Sequence, residues 1–259
     1  MFNEIKHHSP SAVASFLENR AQWFRSKICG DPFTGSQHTA RGTAVEAGIN
    51  FWLDGSTEAT TEAVRHAIET WDKEVIPFKD DPEFQAKELE FKQSIAPLVN
   101  CGIESVNDKY VSKLGEPKQQ FKVSGDIPGC RCPVMGYIDW IFPGKLVVDN
   151  KVTGKSPSGL KQAYIIQGAV YHIATGLPVE FHFEVANKTP KVVTFKITDE
   201  QIKYGWMLFC RAAKAIENIF DTPLDGAFMR DIFLPNPEAF FSDKDVNKAL
   251  KDFNFYQPE

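Results

Sequence analysis

The feature that most constrains the fold of this sequence is a change in the spacing of its apolar residues near Gln119. Before this point, apolar residues recur at intervals of three and four, which is the period of amphipathic helices. Beyond it the period changes to two, which is typical of strands. The sequence therefore predicts a mainly helical N-terminal part of about residues 1–115, a sheet-containing core of about residues 116–222 and a tail of about residues 223–259.

Start signals, stop signals and periodicity place the individual elements within this division. Helices are predicted over residues 11–27, 40–53, 58–76, 83–113, 159–175 and 202–220. Strands are predicted over residues 121–123, 134–142, 146–152, 179–186 and 192–197. The first three strands follow one another closely and are expected to be antiparallel. Together these elements predict one α/β domain over residues 1–259, in which helices flank a central β-sheet.

Composition narrows the class of protein. The 42% hydrophobic and 24% charged residues are typical of globular proteins, and a soluble intracellular protein is expected because the sequence has no run of about 18 apolar residues. The net charge of −5 requires any nucleic-acid contact to use a local basic groove. Five scattered cysteines predict free thiols. Cys130 and Cys132 form a single C-x-C pair, a pattern more typical of coincidence than of half a zinc site.

Two predicted strands carry the residues with the clearest chemistry. Asp139 lies on one strand, and Asp149 and Lys151 lie on the next, where alternate side chains share a face. Carboxylates and carbonyls are the ligands that Mg²⁺ prefers, and a lysine beside them can meet a phosphate. A two-residue Pro143-Gly144 turn would place the two aspartates on opposite faces, so we predict an odd-length loop or a bulge with a positive φ at Gly144.

Glu46 and a glutamine–tyrosine pair are further candidates on helices. Glu46 lies close to the apolar stripe of its helix, where a carboxylate is costly unless it is paired or binds a metal. A position at the border of the stripe, with the carboxylate in solvent, is the alternative. Gln167 and Tyr171 are spaced i and i+4 and could orient a phosphate or a nucleotide. The alternative is an amphipathic helix with the tyrosine in the core and the glutamine at its rim.

These residues occur in the order G-x-x-x-E, G-x-h-D, D-x-K and Q-x-x-x-Y, where h is apolar. This order resembles the RecB-type branch of the PD-(D/E)XK nucleases, a group that includes the lambda-exonuclease type and the CRISPR-adaptation exonucleases. The segments 9–12 and 187–190 also resemble these families, so the similarity spans residues 9 to about 240. No single motif is specific, but four elements in this order form a strong combined signal.

The resemblance implies a restriction-endonuclease-like α/β core, a Mg²⁺ or Mn²⁺ cofactor and a role for each matching residue. Glu46, Asp139, Asp149 and the Asn150 carbonyl would bind the metal, and Lys151 would steady the attacking water and the transition state. The lysine motif begins with Asp149 rather than the commoner glutamate, which shortens this ligand. Residues expected to contact DNA or support the site are Ser9, Ser11, Arg41, Gln167, Tyr171 and Lys188.

The sequence departs from many of these relatives at their iron–sulfur cluster. The cysteines that hold such a cluster are absent near the first helix and in the segment 235–242, so no iron–sulfur cluster is expected. Phe240 and Phe241 are expected to pack the tail in its place.

Three functions stay open at this stage. The first is an exonuclease that processes DNA ends in recombination, repair or phage DNA metabolism, in the cytoplasm of a bacterial or phage-infected cell. The second is an endonuclease on the same core, and the third is a DNA-binding module without activity. The resemblance implies double-stranded ends or single strands as substrate and no membrane partner. It leaves open a homo-oligomer and a single-strand annealing or recombination partner.

Overall fold

The computed structural model describes residues 5–30 and 35–221. Its helices are α1 (Pro10–Glu18), α2 (Arg20–Lys27), α3 (Gln37–Leu53), α4 (Thr60–Glu74), α5 (Pro82–Val106), α6 (Ser112–Leu114), α7 (Gln162–Thr175) and α8 (Asp199–Phe220), with a 3₁₀ turn at Ile76–Phe78 and a π-helical turn at Asn107–Val111. Its strands are β1 (Lys118–Gly125), β2 (Val134–Phe142), β3 (Leu146–Thr153), β4 (Val179–Val185) and β5 (Lys191–Lys196). Within the described ranges, no helix combines the length and the apolar character that crossing a bilayer requires.

The five strands form one mixed sheet in the order β1-β2-β3-β4-β5. The pairs β1–β2, β2–β3 and β4–β5 are antiparallel, and β3–β4 is parallel. A parallel pair needs a crossover connection, and α7 supplies it between β3 and β4. The predicted fold class, a mixed sheet flanked by helices with a helical N-terminal half, is confirmed.

Apolar side chains form one core on each face of the sheet. Trp140, Phe142 and Val148 pack against the helical layer of α3, α4 and α5 on one face. Val147 and Phe181 pack against α1, α2, α7 and α8 on the other. The sheet is therefore covered on both sides, which accounts for the fully buried pattern of β4.

The alternation of β2 is interrupted at Asp139. Trp140 belongs to the core of the helical layer, whereas Ile138, two residues earlier, belongs to the opposite core. Two residues that are separated by two positions normally share a face, so the strand changes face between them. Gln120, which the β1–β2 register places opposite Asp139, has a φ of +46°. A positive φ is uncommon outside glycine and marks the same irregularity on β1.

The predicted elements are confirmed with shifted ends, except that the single helix expected over residues 11–27 is wrong. Two helices occupy this segment, and Asn19 separates them in an extended conformation. Its side-chain oxygen accepts a hydrogen bond from the Gln22 amide at 3.2 Å, which makes Asn19 the N-cap of α2. The packing of Phe240 and Phe241 lies outside the described residues.

Candidate active site

The β2–β3 hairpin aligns the two aspartates that the sequence singled out. Phe142 pairs with Leu146 and Trp140 pairs with Val148, so the loop has three residues, 143–145. Gly144 in this loop has a φ of +69°. This register sets Asp139 opposite Asp149, and the predicted odd-length loop with a positive φ at Gly144 is confirmed.

The two strands separate at the aspartates. The ladder between β2 and β3 ends at the Trp140–Val148 pair, beyond which β2 pairs with β1 and β3 pairs with β4. At the point of separation the backbone amide of Asn150 donates to Asp139 Oδ2 at 2.7 Å. A carboxylate thus takes the place that a backbone carbonyl holds in a regular ladder, and this fixes its orientation.

Asp149 is fully buried and forms an ion pair with the Lys151 ammonium. The same ammonium lies 3.9 Å from Asp139 Oδ2 and donates to the Asn150 carbonyl at 3.1 Å. Apart from the Lys151 ion pair, neither oxygen of Asp149 has a hydrogen-bond partner within residues 5–30 and 35–221. Buried carboxylate oxygens are normally satisfied, so two such oxygens in one side chain mark a place where a cation fits.

Glu46, on α3, lies at the same centre as Asp139, Asp149 and Lys151. Its Oε1 accepts a hydrogen bond from Gln120 Nε2 at 2.9 Å and a longer one from Asn50 Nδ2 at 3.5 Å. Burial and the charge of Asp139 raise the pKa of Glu46 to about 7. The side chain is half-buried, and the charges of Asp139, Lys151 and Asp149 act on its pKa.

The electrostatics of the centre reflect three carboxylates around one ammonium. Burial raises the pKa of Asp149 to about 7, and the charge of Asp139 adds to the increase against the opposing effect of Lys151. Burial alone would lower the pKa of Lys151, but Asp149 and Asp139 outweigh it and the pKa ends above its ordinary value. Excess negative charge in a buried site is relieved by a divalent cation, and carboxylate oxygens are the ligands that Mg²⁺ and Mn²⁺ prefer. The donor set therefore fits such an ion.

Gln167 and Tyr171 lie beside this centre on α7. Gln167 Nε2 donates to the Tyr171 hydroxyl at 3.0 Å, and the hydroxyl donates to the Tyr137 carbonyl at 2.5 Å. Burial and the charge of Asp149 raise the pKa of Tyr171, so the phenol stays protonated. Both residues thus fix the backbone of β2 at Tyr137, two residues before Asp139.

The other residues proposed from the sequence have different surroundings. Ser9 caps α1 by accepting from the Ala12 amide at 3.2 Å, and its hydroxyl lies 3.3 Å from that of the exposed Ser11. Arg41 is buried, with its guanidinium 4.9 Å from the ring centre of Phe91. Lys188 is exposed between β4 and β5. The roles of Ser9, Ser11, Arg41 and Lys188 toward DNA stay predictions.

A polar network behind the centre was not predicted. On the opposite side of β3 the side-chain amide of Asn150, in the orientation that satisfies its neighbours, donates to Glu184 Oε1 at 2.8 Å. His182 Nδ1 lies 3.0 Å from the same carboxylate, and its Nε2 lies 3.0 Å from Ser105 Oγ. His182 and Glu184 are fully buried. Charged residues in an apparently continuous strand, F-H-F-E, are the sequence signal that could have indicated this network.

Comparison with known proteins shows the fold. No protein-family model and no curated protein matches the sequence. Among solved structures, a protein from Eubacterium rectale described as a "putative exonuclease" matches with a TM-score of 0.60 at 18% sequence identity, over 85% of this chain and 83% of that chain. The structure of SSO0001 matches with a TM-score of 0.35 at 12% identity, over 62% of this chain and 83% of that chain, which is too weak to support an argument. The first match establishes that the two chains share an α/β architecture.

Proposed function

We propose that this protein is a divalent-metal-dependent deoxyribonuclease of the PD-(D/E)XK superfamily, in its RecB-type or lambda-exonuclease-like branch. The observation that carries the proposal is the buried Asp149 carboxylate, whose one partner in the described part of the chain is the Lys151 ammonium and which lies among the charges of Asp139 and Glu46. The match in fold to a protein described as an exonuclease supports the same class of reaction.

In this proposal Asp139, Asp149 and Glu46, with the Asn150 carbonyl, would hold Mg²⁺ or Mn²⁺. When bound, such an ion neutralises phosphate charge and lowers the pKa of a coordinated water. The cation would also counter the burial and the charge of Asp139, which together raise the pKa values of Glu46 and Asp149. A single ion thus accounts for the surplus of carboxylates over ammonium groups at this point of the sheet.

Besides the metal ion, Lys151 would place a positive charge beside the phosphate of the substrate. Its ammonium stays charged because Asp149 and Asp139 raise its pKa, and a charge in a largely desolvated site acts strongly on a developing oxyanion. Tyr171 would keep β2, and with it Asp139, at a fixed distance from Lys151 through its hydrogen bond to the Tyr137 carbonyl. A displacement of about 1 Å in such a centre is enough to cost about 100-fold in rate.

The decisive experiment measures cleavage of linear duplex DNA with and without Mg²⁺ or Mn²⁺. We expect Asp139→Ala, Asp149→Ala and Lys151→Ala each to reduce the rate at least about 100-fold. Asp126→Ala, at an exposed aspartate in the β1–β2 loop, is the matched control and should retain the parental rate. A variant with unchanged circular dichroism and near-parental cleavage would remove that residue from the mechanism.

An exonuclease is the proposed form of this activity. A comparison of linear with covalently closed circular DNA as substrates tests it. Linear duplex DNA should be degraded from its ends while covalently closed circles survive under the same conditions. Cleavage of circles would instead indicate an endonuclease on the same core. Binding of DNA in a gel-shift assay with no cleavage under any divalent ion would indicate a DNA-binding module and refute the proposed reaction.

A further inference from the structure

A second group of metal-ligating side chains lies apart from the acidic centre described above, at the start of β2, where His8 forms a β-bridge with Val134. His8 precedes α1, Cys132 lies in the β1–β2 loop and Glu217 lies near the end of α8. One ligand atom from each lies within 4.8 Å of the others, and His8 and Glu217 are only 2% exposed. The three residues come from distant parts of the sequence, so their convergence is a product of the fold.

The distance between His8 and Glu217, which form a long hydrogen bond, also matches the separation of two ligands on one ion. His8 Nε2 lies 3.3 Å from Glu217 Oε1. A charge-assisted hydrogen bond normally closes to about 2.7–2.9 Å. A tetrahedral zinc ion with Zn–N and Zn–O distances of about 2.0–2.1 Å has an N···O edge of about 3.3 Å. The pair is therefore already spaced as two ligands of one ion.

Backbone groups hold the Glu217 side chain and the main chain at His8 in place. Glu217 Oε1 accepts from the Cys132 amide at 2.8 Å, and both of its oxygens accept from the Arg131 amide at 2.9 Å. The His8 amide donates to the Pro133 carbonyl at 2.9 Å. Such outer contacts orient ligands and are a normal part of metal sites in proteins.

We propose that His8, Cys132 and Glu217 form a binding site for a zinc-class divalent ion. Imidazole, thiolate and carboxylate are the three side-chain ligands of zinc, and three protein ligands leave one tetrahedral position for water. Binding would release the proton of the Cys132 thiol, which now donates to the Ile5 carbonyl at 3.1 Å, to solvent. A cleft of about 270 Å³, lined by His8 and Ile216, adjoins the site at His8.

The ion would connect the N-terminal segment, the β1–β2 loop and α8. It would thereby stabilise the face of the molecule that carries α1 and α8, without taking part in the proposed hydrolysis. The site does not depend on the proposed nuclease function, because it shares none of the residues of the acidic centre.

Titration of the metal-free full chain with Co²⁺ tests the site, since a cobalt–thiolate bond gives a charge-transfer band in the near ultraviolet that carboxylate ligands do not give. We expect the band in the parent at one ion per chain, and its loss in Cys132→Ser. His8→Ala should weaken binding by at least about 100-fold. Cys101→Ser, at a half-buried cysteine on α5, is the matched control and should retain the band.

Thermal denaturation gives an independent readout with Zn²⁺. At a free concentration about 100 times the dissociation constant, the melting temperature of the parent should rise by about 5–10 °C more than that of Cys132→Ser. Absence of the cobalt band in the parent, its persistence in Cys132→Ser, or equal zinc-induced shifts in both proteins would each overturn the site.

Discussion

Replacing Glu46 by glutamine should stabilise the metal-free protein at high pH. The pKa of Glu46 is raised from 4.5 to about 7 because the side chain is buried beside Asp139. An increase of this size corresponds to about 3 kcal/mol of unfavourable free energy when the carboxylate is ionised. Because the side chain is half-buried and water screens part of the repulsion, we expect Glu46→Gln to stabilise by about 1–3 kcal/mol. Glutamine can still accept the hydrogen bond from Gln120.

The sign of the pH dependence follows from the direction of the shift. Between the unfolded pKa near 4.5 and the folded pKa near 7, the folded state binds more protons at Glu46 than the unfolded state does. The parent therefore loses stability as the pH rises through this window, and Glu46→Gln does not lose this contribution. The two proteins should be alike at pH about 4.5 and should differ most above pH about 8.

Thermal denaturation in a chelating buffer measures this difference. A change of 1–3 kcal/mol should shift the melting temperature by roughly 3–9 °C for a chain of this size. Glu58→Gln, at an exposed glutamate before α4, is the matched control and should show no such shift. A gain for Glu46→Gln that is equal at both pH values, or no gain above pH 8, would refute the idea that repulsion and burial act on this carboxylate.

Three further predictions concern packing, capping and the metal. Gly205→Ala should lower the free energy of unfolding, measured by urea denaturation, by about 1–3 kcal/mol, because an added Cβ would lie 2.5 Å from the Ile165 carbonyl oxygen between α7 and α8. Gly154→Ala is the control and should leave the free energy of unfolding unchanged, because the space around Gly154 is open. Asn19→Ala should cost about 1 kcal/mol in the same assay, since it removes the N-cap of α2. Ca²⁺ should support DNA binding in a gel-shift assay with little cleavage, because its looser coordination orients water poorly; rapid cleavage in Ca²⁺ would contradict this.

Much of the fold could be predicted from the sequence because periodicity reports burial directly. The end residues of β2 were predicted correctly, and the hairpin geometry followed from the need to place Asp139 and Asp149 together. The break at Asn19 was missed because apolar spacing continues through it, and a capping residue in the middle of a helical pattern looks like any polar surface residue. The roles of the site residues in catalysis stay predictions.

The groups that were missed depend on contacts between distant parts of the chain. The hydrogen bond to Glu46 comes from Gln120, a non-glycine residue with a positive φ, which no local pattern indicates. The C-x-C pattern of Cys130 and Cys132 does not indicate a zinc site, because local spacing reveals only ligands that are close in sequence. The partners of Cys132, His8 and Glu217, lie more than 80 residues away in either direction, so only the folded arrangement brings the three together.

The separation of β2 and β3 implies that the acidic centre depends on local opening of the sheet. Asp139 lies on a stretch of β2 that pairs with β1, and Asp149 lies on a stretch of β3 that pairs with β4. Among the described residues, the hairpin end, the hydrogen bond from the Asn150 backbone amide to Asp139 and the approach of Lys151 to Asp139 connect these two stretches. Segments held by few backbone hydrogen bonds open more readily than the rest of a domain. The Asn150 amide is therefore a natural reporter in hydrogen exchange, since its protection measures how often the two halves of the centre are held in register.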